Sequence, residues 1–395
     1  MKEDKKKIYI RTFGCQMNNR DSEVIVGLLE KAGYKLADGE KGADVVIFNT
    51  CSVRQHAEDK VWSEVGRLAS KSVSRLAGKQ ANRQTGKPII GIAGCMAQNY
   101  KEEIFKKAPA VDFVVGPSDI AKIPQILKEL TGRGMFEKKI WETDGNARPD
   151  EIYHCGFYED KGHAYVVISE GCVNYCSYCV VPYVRGKLRN RDYKDIIREV
   201  EGAVARGITR VTLLGQNVNA YDNFAGLLKR VNSIKGLKEV SFVTSHPKDA
   251  SEELFKTMAE CDKVKKSLHL PLQSGSDRIL KLMNRGYTSK GYMDLIEKYR
   301  KIVPDSKVST DIIVGFPTES EKDFLDTYEL MKKARFDSAY IFKYSPRPKT
   351  EAAKLTDDVP EAEKKRRHRV LLDYQKELNH RKQCLMTNDK AQMSK

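Results

Sequence analysis

In ISEGCVNYCSYCVVPYVRGKLRNR, residues 168–191, three cysteines follow directly on a short apolar run that reads as a strand over 164–169. Cys172, Cys176 and Cys179 are spaced C-x3-C-x2-C on the loop at its carboxyl end. Three thiolates on one short loop can hold three irons of a 4Fe–4S cube and leave the fourth iron open to a substrate. A structural zinc wants four closed ligands, and no fourth Cys or His follows at the usual spacing. A zinc loop, or cysteines together by chance, is the competing reading. Tyr178, beside the last cysteine, has a flat face that can pack against an adenine.

Downstream, strand patterns recur at 209–214, 239–244, 266–271, 308–314 and 338–343, with helical patterns at 192–206, 223–234, 251–260, 290–303 and 320–335. Six successive β/α units predict a barrel or an incomplete barrel, with its chemistry at the carboxyl ends of the strands. LLGQNVNAY (213–221) follows the second of these strands. Gly215 would let backbone approach a cofactor there, and Gln216 and Asn217 offer amide hydrogen bonds. TSHP (244–247) and Ser309–Thr310–Asp311 are weaker candidates, with a turn or strand-end role as the alternative. His246 and His269 receive no catalytic role, and no residue is singled out as catalytic.

Upstream, IYIRTF (8–13), DVVIFN (44–49), PIIGIAG (88–94) and VDFVV (111–115) read as strands, with helical patterns from Asp21 to Ala32 and over 54–79. Apolar strands alternating with helices predict a doubly wound parallel sheet. Cys15, Cys51 and Cys95 each come just after one of these strands. Ligands of open α/β sheets bind outside the carboxyl ends of the strands, so the three side chains should converge on one crevice. They could hold a second cluster there; the alternative is that each is a small buried residue. Cys155, Cys261 and Cys384 show no such relation. The expected organisation is an N-terminal sheet domain over 6–131, a polar linker over 132–157, a barrel domain over 158–383 and a frayed tail over 384–395.

Lys and Arg total 70 against 54 Asp and Glu, a formal charge of +16 over 395 residues, which favours a polyanionic partner such as nucleic acid. With 31% charged and 40% hydrophobic residues, the composition is that of a folded globular chain. MKEDKKKIYI has no apolar segment behind its basic start, and the apolar runs are strand-sized, which argues against secreted and membrane classes. In a chain read as cytoplasmic, nine cysteines point first to metal ligands rather than disulfides. RGKLRNR (185–191) and KKRRHR (364–369) are the basic clusters expected to meet phosphates.

C-x3-C-x2-C with an aromatic before the last cysteine resembles the radical S-adenosylmethionine superfamily. TFGCQMN (12–18), NTCSVR (49–54), GCMAQ (94–98), LPLQSGS (270–276) and TDIIVGFPTE (310–319) further resemble the methylthiotransferases, and among them the MiaB-type tRNA enzymes. The resemblance runs from Ile8 to Gln383. It implies a flavodoxin-like parallel sheet domain followed by a radical S-adenosylmethionine partial (β/α)6 barrel. It also implies two 4Fe–4S clusters: Cys172, Cys176 and Cys179 would hold the one that binds S-adenosyl-L-methionine, and Cys15, Cys51 and Cys95 the one that carries sulfur. Tyr178, Gly215, Gln216 and Asn217 would contact the cofactor. The implied reaction is methylthiolation at C2 of N6-isopentenyl-adenosine, position 37, in the anticodon loop of tRNA, by a monomer served by an electron donor such as a flavodoxin or ferredoxin. The same chemistry on threonylcarbamoyl-adenosine tRNA, and a non-catalytic iron–sulfur RNA-binding protein, are the alternatives. Two departures stand out. YSPRPKTEAA (344–353) has Lys349 and Glu351 where the family has a Gly-containing YSPRPGTPAA-like string. No alternating strand pattern follows Gln383, so the family's usual C-terminal TRAM domain is expected to be absent, by truncation or by nature.

Overall fold

The computed structural model describes residues 5–52, 55–76, 88–131, 139–145 and 148–393. Contacts divide the chain into two compact units, Met1–Cys172 with Val180–Leu214, and Val173–Cys179 with Gly215–Lys395. Residues 163–172 and 180–214 are thus grouped with the N-terminal sheet, whereas composition placed a break at 132–157.

In the first unit, six parallel strands form one sheet: β1 (Lys7–Phe13), β2 (Lys35–Leu36), β3 (Val45–Thr50), β4 (Ile89–Gly94), β5 (Phe113–Val115) and β6 (Ile140–Glu142). Their order is β2-β1-β3-β4-β5-β6, the flavodoxin-like arrangement with one added edge strand. Every residue of β3 is buried, as a β-branched run covered on both faces should be. Two strands were illegible in the sequence. β2 is two residues long and β6 three, too short to show a period, and β6 lies inside the stretch read as a linker. The rest of that reading at 132–138 and 146–147 lies outside the described residues.

The helices of this sheet are α1 (Gln16–Lys31), α2 (Gln55–Leu76), α3 (Cys95–Tyr100), α4 (Glu103–Lys107) and α5 (Ile123–Thr131). The ends of the helix expected over 54–79 lie outside the described residues. One core joins Val46, Phe48, Ile90, Ile92 and Val114 from the strands to Val61 and Val65 of α2. Helix α1 buries Val24, Ile25 and Leu29, but also Arg20, Asp21 and Glu23. The unit continues through β7 (His163–Val167), β8 (Ser169–Glu170), α6 (Val181–Arg185), β9 (Arg189–Asn190), α7 (Tyr193–Val204) and β10 (Arg210–Leu214). β7 and β10 pair in parallel with Val167 opposite Leu214, and β8 pairs with β9 antiparallel.

The second unit holds α8 (Phe224–Asn232), β11 (Glu239–Phe242), α9 (Glu252–Glu260), β12 (Ser267–His269), α10 (Asp277–Leu282), α11 (Ser289–Ile302), β13 (Lys307–Val314), α12 (Glu321–Ala334), β14 (Ser338–Lys343) and α13 (Glu361–Met393). All six strands expected after residue 160 are therefore present, and β12, β13 and β14 form a parallel sheet. Side-chain caps fix where the helices begin: Asn223, Ser251, Ser276, Thr288 and Ser320 each accept a hydrogen bond from a backbone N–H of the helix they start. Helix α13 continues through Met393, past the point where a frayed tail was expected. Its last stretch has no Gly or Pro to stop it. No helix among the described residues is long and apolar enough to cross a membrane.

Candidate metal centres

Strands β1, β3 and β4 are neighbours, with Phe13 opposite Thr50 and Thr50 opposite Gly94. Cys51 and Cys95 therefore follow paired residues directly, and Cys15 comes one residue later as the N-cap of α1. The local sequence makes this crowding possible. A Cβ on Gly14 would lie 2.6 Å from the Cβ of Cys51, and one on Gly94, which has φ +90°, would meet the side chain of Asn49 and the carbonyl of Thr50. Asn18 and Asn49 lace the loops together: Asn18 Nδ2 donates to Asn49 Oδ1 at 3.1 Å, and Asn49 Nδ2 to the Asn18 carbonyl at 2.8 Å.

The three thiols feel one another. A hydrogen bond with Cys51 pulls the Cys15 thiol down to about 6, against the cost of burial, helped by Arg185 and the N–H groups of Asn18 and Met17. Burial pushes Cys95 up, with Arg185 opposing and the charge of Cys15 adding to the rise. Among the described residues, no three His, Cys, Asp or Glu side chains close around a single ion. In a cube each thiolate takes a different iron, so ligands stand apart. Three thiols on three neighbouring strands, beside a buried guanidinium, fit such a cluster.

That guanidinium was not legible in the sequence as a neighbour of this crevice. Arg185 Nε lies 3.2 Å from Cys95 Sγ and its Nη2 donates to Asp21 Oδ2 at 2.7 Å. Arg148 holds the other oxygen of Asp21 at 2.6 Å and reaches Glu170 at 3.1 Å. A second buried set lies alongside. Arg20, fully buried, pairs with Glu23 and Glu199 and donates to the carbonyls of Tyr153 and Phe157. Arg191 pairs with Glu199 and Asp195 and lies over the ring of Tyr153. Buried charges persist only when paired in this way.

The loop bearing the second cysteine set is pinned at both ends. In the first unit, the Cys172 N–H donates to the Gly186 carbonyl at 3.1 Å, and Gly171, at φ +76°, passes so close to the backbone of Gly186 and Lys187 that no Cβ fits. In the second unit, Ser177 N–H donates to the Met283 carbonyl at 3.0 Å, Ala352 N–H to the Ser177 carbonyl at 2.7 Å, and Asn284 Nδ2 to the carbonyls of Asn174 and Tyr175. Arg285, also missed by the sequence reading, is buried beside Cys176. Its Nη1 lies 3.2 Å from Cys176 Sγ and 3.4 Å from the Tyr178 hydroxyl, while Nη2 and Nε are held by the Pro271 carbonyl and the Tyr287 hydroxyl at 2.9 Å each. Tyr178 packs against the cluster of Ile279, Met283, Phe316, Tyr344 and Ala352.

On the loops of the second unit, buried polar atoms stand without hydrogen-bond partners. They include Ser177 Oγ, Asn217 Oδ1, Ser245 Oγ, His246 Nε2 and Gln273 Oε1. Such atoms are costly unless a ligand or water meets them, and they suit a polar cofactor. Asn217 commits its Nδ2 to Asp249 at 2.6 Å, Gly215 is buried and Gln216 is half-buried. Thr244 and Gln273 hold φ of +69° and +72°, left-handed backbone that gathers at functional sites. His246 accepts from the Lys248 N–H through Nδ1, which leaves the proton on Nε2, and burial holds its pKa down to about 2. His269 joins Ser309 and Asp311 on one face of the sheet, while Thr310 turns to the other and bonds the Leu270 carbonyl.

The basic segments differ from their expected role. Arg185 and Arg191 are buried and paired, so RGKLRNR presents Lys187, with Arg189 half-buried against Glu170. In KKRRHR, Lys364 and Arg367 turn inward to Asp357 and Glu319, and Lys365 and Arg369 are exposed. Helix geometry and carboxylate partners, invisible in a run of like charges, decide which members face water.

Residues 166–331 match the Radical SAM superfamily, and residues 7–116 match an uncharacterized protein family, UPF0004. The first family binds S-adenosylmethionine and a 4Fe–4S cluster. The chain is 44% identical over 389 residues to the tRNA-2-methylthio-N(6)-dimethylallyladenosine synthase of Clostridium novyi, covering 95% of this chain and 82% of that one. It is 42% identical over 386 residues to the enzyme of the same name from Moorella thermoacetica, covering 95% and 84%. Among solved structures, the radical S-adenosylmethionine methyltransferase TsrM from Kitasatospora setae aligns with a TM-score of 0.59 at 13% identity, over 89% of this chain and 77% of that one, a likeness of fold alone. Identity above 40% across more than three quarters of these relatives settles the family: the chain belongs to the tRNA-2-methylthio-N(6)-dimethylallyladenosine synthases.

Proposed function

We propose that this chain transfers a methylthio group to C2 of N6-isopentenyl-adenosine beside the anticodon of tRNA, using two iron–sulfur clusters. The observation that carries the reading is the meeting of Cys15, Cys51 and Cys95 after three neighbouring strands, in a chain that also bears Cys172, Cys176 and Cys179 on one loop. When bound, the cluster on that loop supplies the electron for reductive cleavage of S-adenosylmethionine, and the cluster of Cys15, Cys51 and Cys95 supplies sulfur. The protein's own part is geometry and dryness. Gly171 lets the loop lie against Gly186 and Lys187, and Arg285 steadies Cys176. Tyr178, Gly215, Gln216 and Asn217 contact the cofactor, and Ser245, His246 and Gln273 offer it buried donors and acceptors. Neutral His246 adds no charge of its own there. Lys187, Lys365 and Arg369 meet tRNA phosphates. The enzyme works as a cytoplasmic monomer with a flavodoxin or ferredoxin as donor.

Nucleoside analysis of tRNA from cells with and without the gene tests the substrate. The methylthio group should vanish from isopentenyl-adenosine and persist on threonylcarbamoyl-adenosine; the reverse pattern would refute the assignment. Anaerobically reconstituted protein should hold roughly eight irons per chain, and roughly half after replacing either cysteine set by Ala. Full iron after Cys15, Cys51 and Cys95 are replaced would sink the two-cluster reading.

A further inference from the structure

Arg185 ends the short helix α6, buried, with three nitrogens in three different situations. Nε points to Cys95 Sγ at 3.2 Å, and Nη2 donates to Asp21 Oδ2 at 2.7 Å. Nη1 stands 3.8 Å from Glu170 Oε1 and has no hydrogen-bond partner. Asp21 cannot follow Arg185 freely, because Arg148 grips its other oxygen at 2.6 Å. The next residue, Gly186, accepts the N–H of Cys172 at 3.1 Å. One turn of chain thus touches a cysteine of each set.

Three guanidiniums, those of Arg148, Arg185 and Arg189, face the carboxylates of Asp21 and Glu170, so the group carries one excess positive charge. Removing Arg185 leaves that set neutral and takes away the guanidinium that touches the thiol of Cys95. A cluster that takes up an electron becomes more negative, and away from water a nearby cation favours that state strongly. A planar fork serves a sulfur and a carboxylate at once in a fixed geometry, which a flexible lysine ammonium does less well.

We propose that Arg185 is a positioning residue for the sulfur-carrying centre: it fixes Cys95 against Asp21 and balances the charge of that centre when it is reduced. The proposal rests on the two-cluster reading above. Its test uses the full chain with Cys172, Cys176 and Cys179 replaced by Ala, reconstituted anaerobically, so that one centre remains. Arg185→Gln keeps N–H donors without the charge, and Arg185→Lys keeps the charge. Iron content and the reduced-to-oxidised ratio at a fixed applied potential, set with dithionite and mediators and read by electron paramagnetic resonance, are compared. R185Q should lower the ratio about tenfold, equivalent to about 59 mV for one electron, while R185K stays within about twofold of the parent. A parent without iron would overturn the two-cluster reading and this proposal together. A parent with iron, alongside R185Q and R185K that both match its ratio or both lose iron alike, would overturn the proposal alone.

Discussion

Lys349 sits at φ +69°, in left-handed backbone, a conformation that favours glycine. The turn matters because of what it delivers. Three residues on, the Ala352 N–H bonds the Ser177 carbonyl at 2.7 Å, and Ala352 packs beside Tyr178 and Met283 under the cysteine loop. A non-glycine residue in this region costs about 1–2 kcal/mol. Glycine would remove that cost but return about 0.4–1 kcal/mol through the extra freedom of the unfolded chain. Lys349→Gly should therefore stabilise the protein by about 0.5–1 kcal/mol, a rise in Tm of about 1–4 °C for a unit of this size. Lys349→Ala keeps the backbone cost and is the control. Thermal melts of the anaerobically reconstituted protein, followed by circular dichroism and by cluster absorbance, read both variants. Stabilisation by K349A equal to that by K349G would show that the lysine side chain, not the backbone angle, is the burden. No gain from K349G would refute the strain.

Below pH 6.5 the unfolded chain protonates His246 while the folded chain, with a pKa near 2, does not. Stability from this group is complete above pH 6.5 and is lost as the pH falls toward 2, by about 2 kcal/mol at pH 5. Urea midpoints across this range should fall less steeply for His246→Gln, and equal slopes would refute the burial argument. Lys187→Ala should weaken tRNA binding and lower the salt slope of log K by about one. Arg191→Met should leave that slope alone and destabilise the fold by about 1–3 kcal/mol, since it takes a buried hydrogen-bond donor from Glu199 and Asp195, which keep Arg20 and His154 as partners. Identical salt slopes for K187A and the parent would remove Lys187 from the RNA contact.

Periodicity was enough to reveal the long elements, because a buried parallel strand such as Val45–Thr50 opens on an unbroken apolar run, Val45–Phe48, and the helices after 190 carry capping residues. It could not reveal β2 and β6, which exist through pairing with neighbours rather than through any pattern of their own. The cysteines were legible for a similar reason. Cys15, Cys51 and Cys95 each stand one or two residues past a strand, and parallel register turns such near-equal offsets into spatial neighbours. Arg185 and Arg285 were not, since the first comes 90 residues after the thiol it meets and the second 109. Nothing local distinguishes a buried arginine from one in water; its carboxylate and carbonyl partners do, and those belong to the fold.

The separation of 90 residues between Cys95 and Arg185 also orders events during synthesis. All three strands and thiols of the first crevice lie within the first 95 residues, whereas the guanidinium leaves the ribosome roughly 5–18 seconds later at 5–20 residues per second. Asp21 is made early, and its two partners, Arg148 and Arg185, are made 127 and 164 residues later. The growing chain therefore passes through an interval in which this crevice has its sulfur ligands and an unpaired carboxylate but no cation, and α6 closes it last.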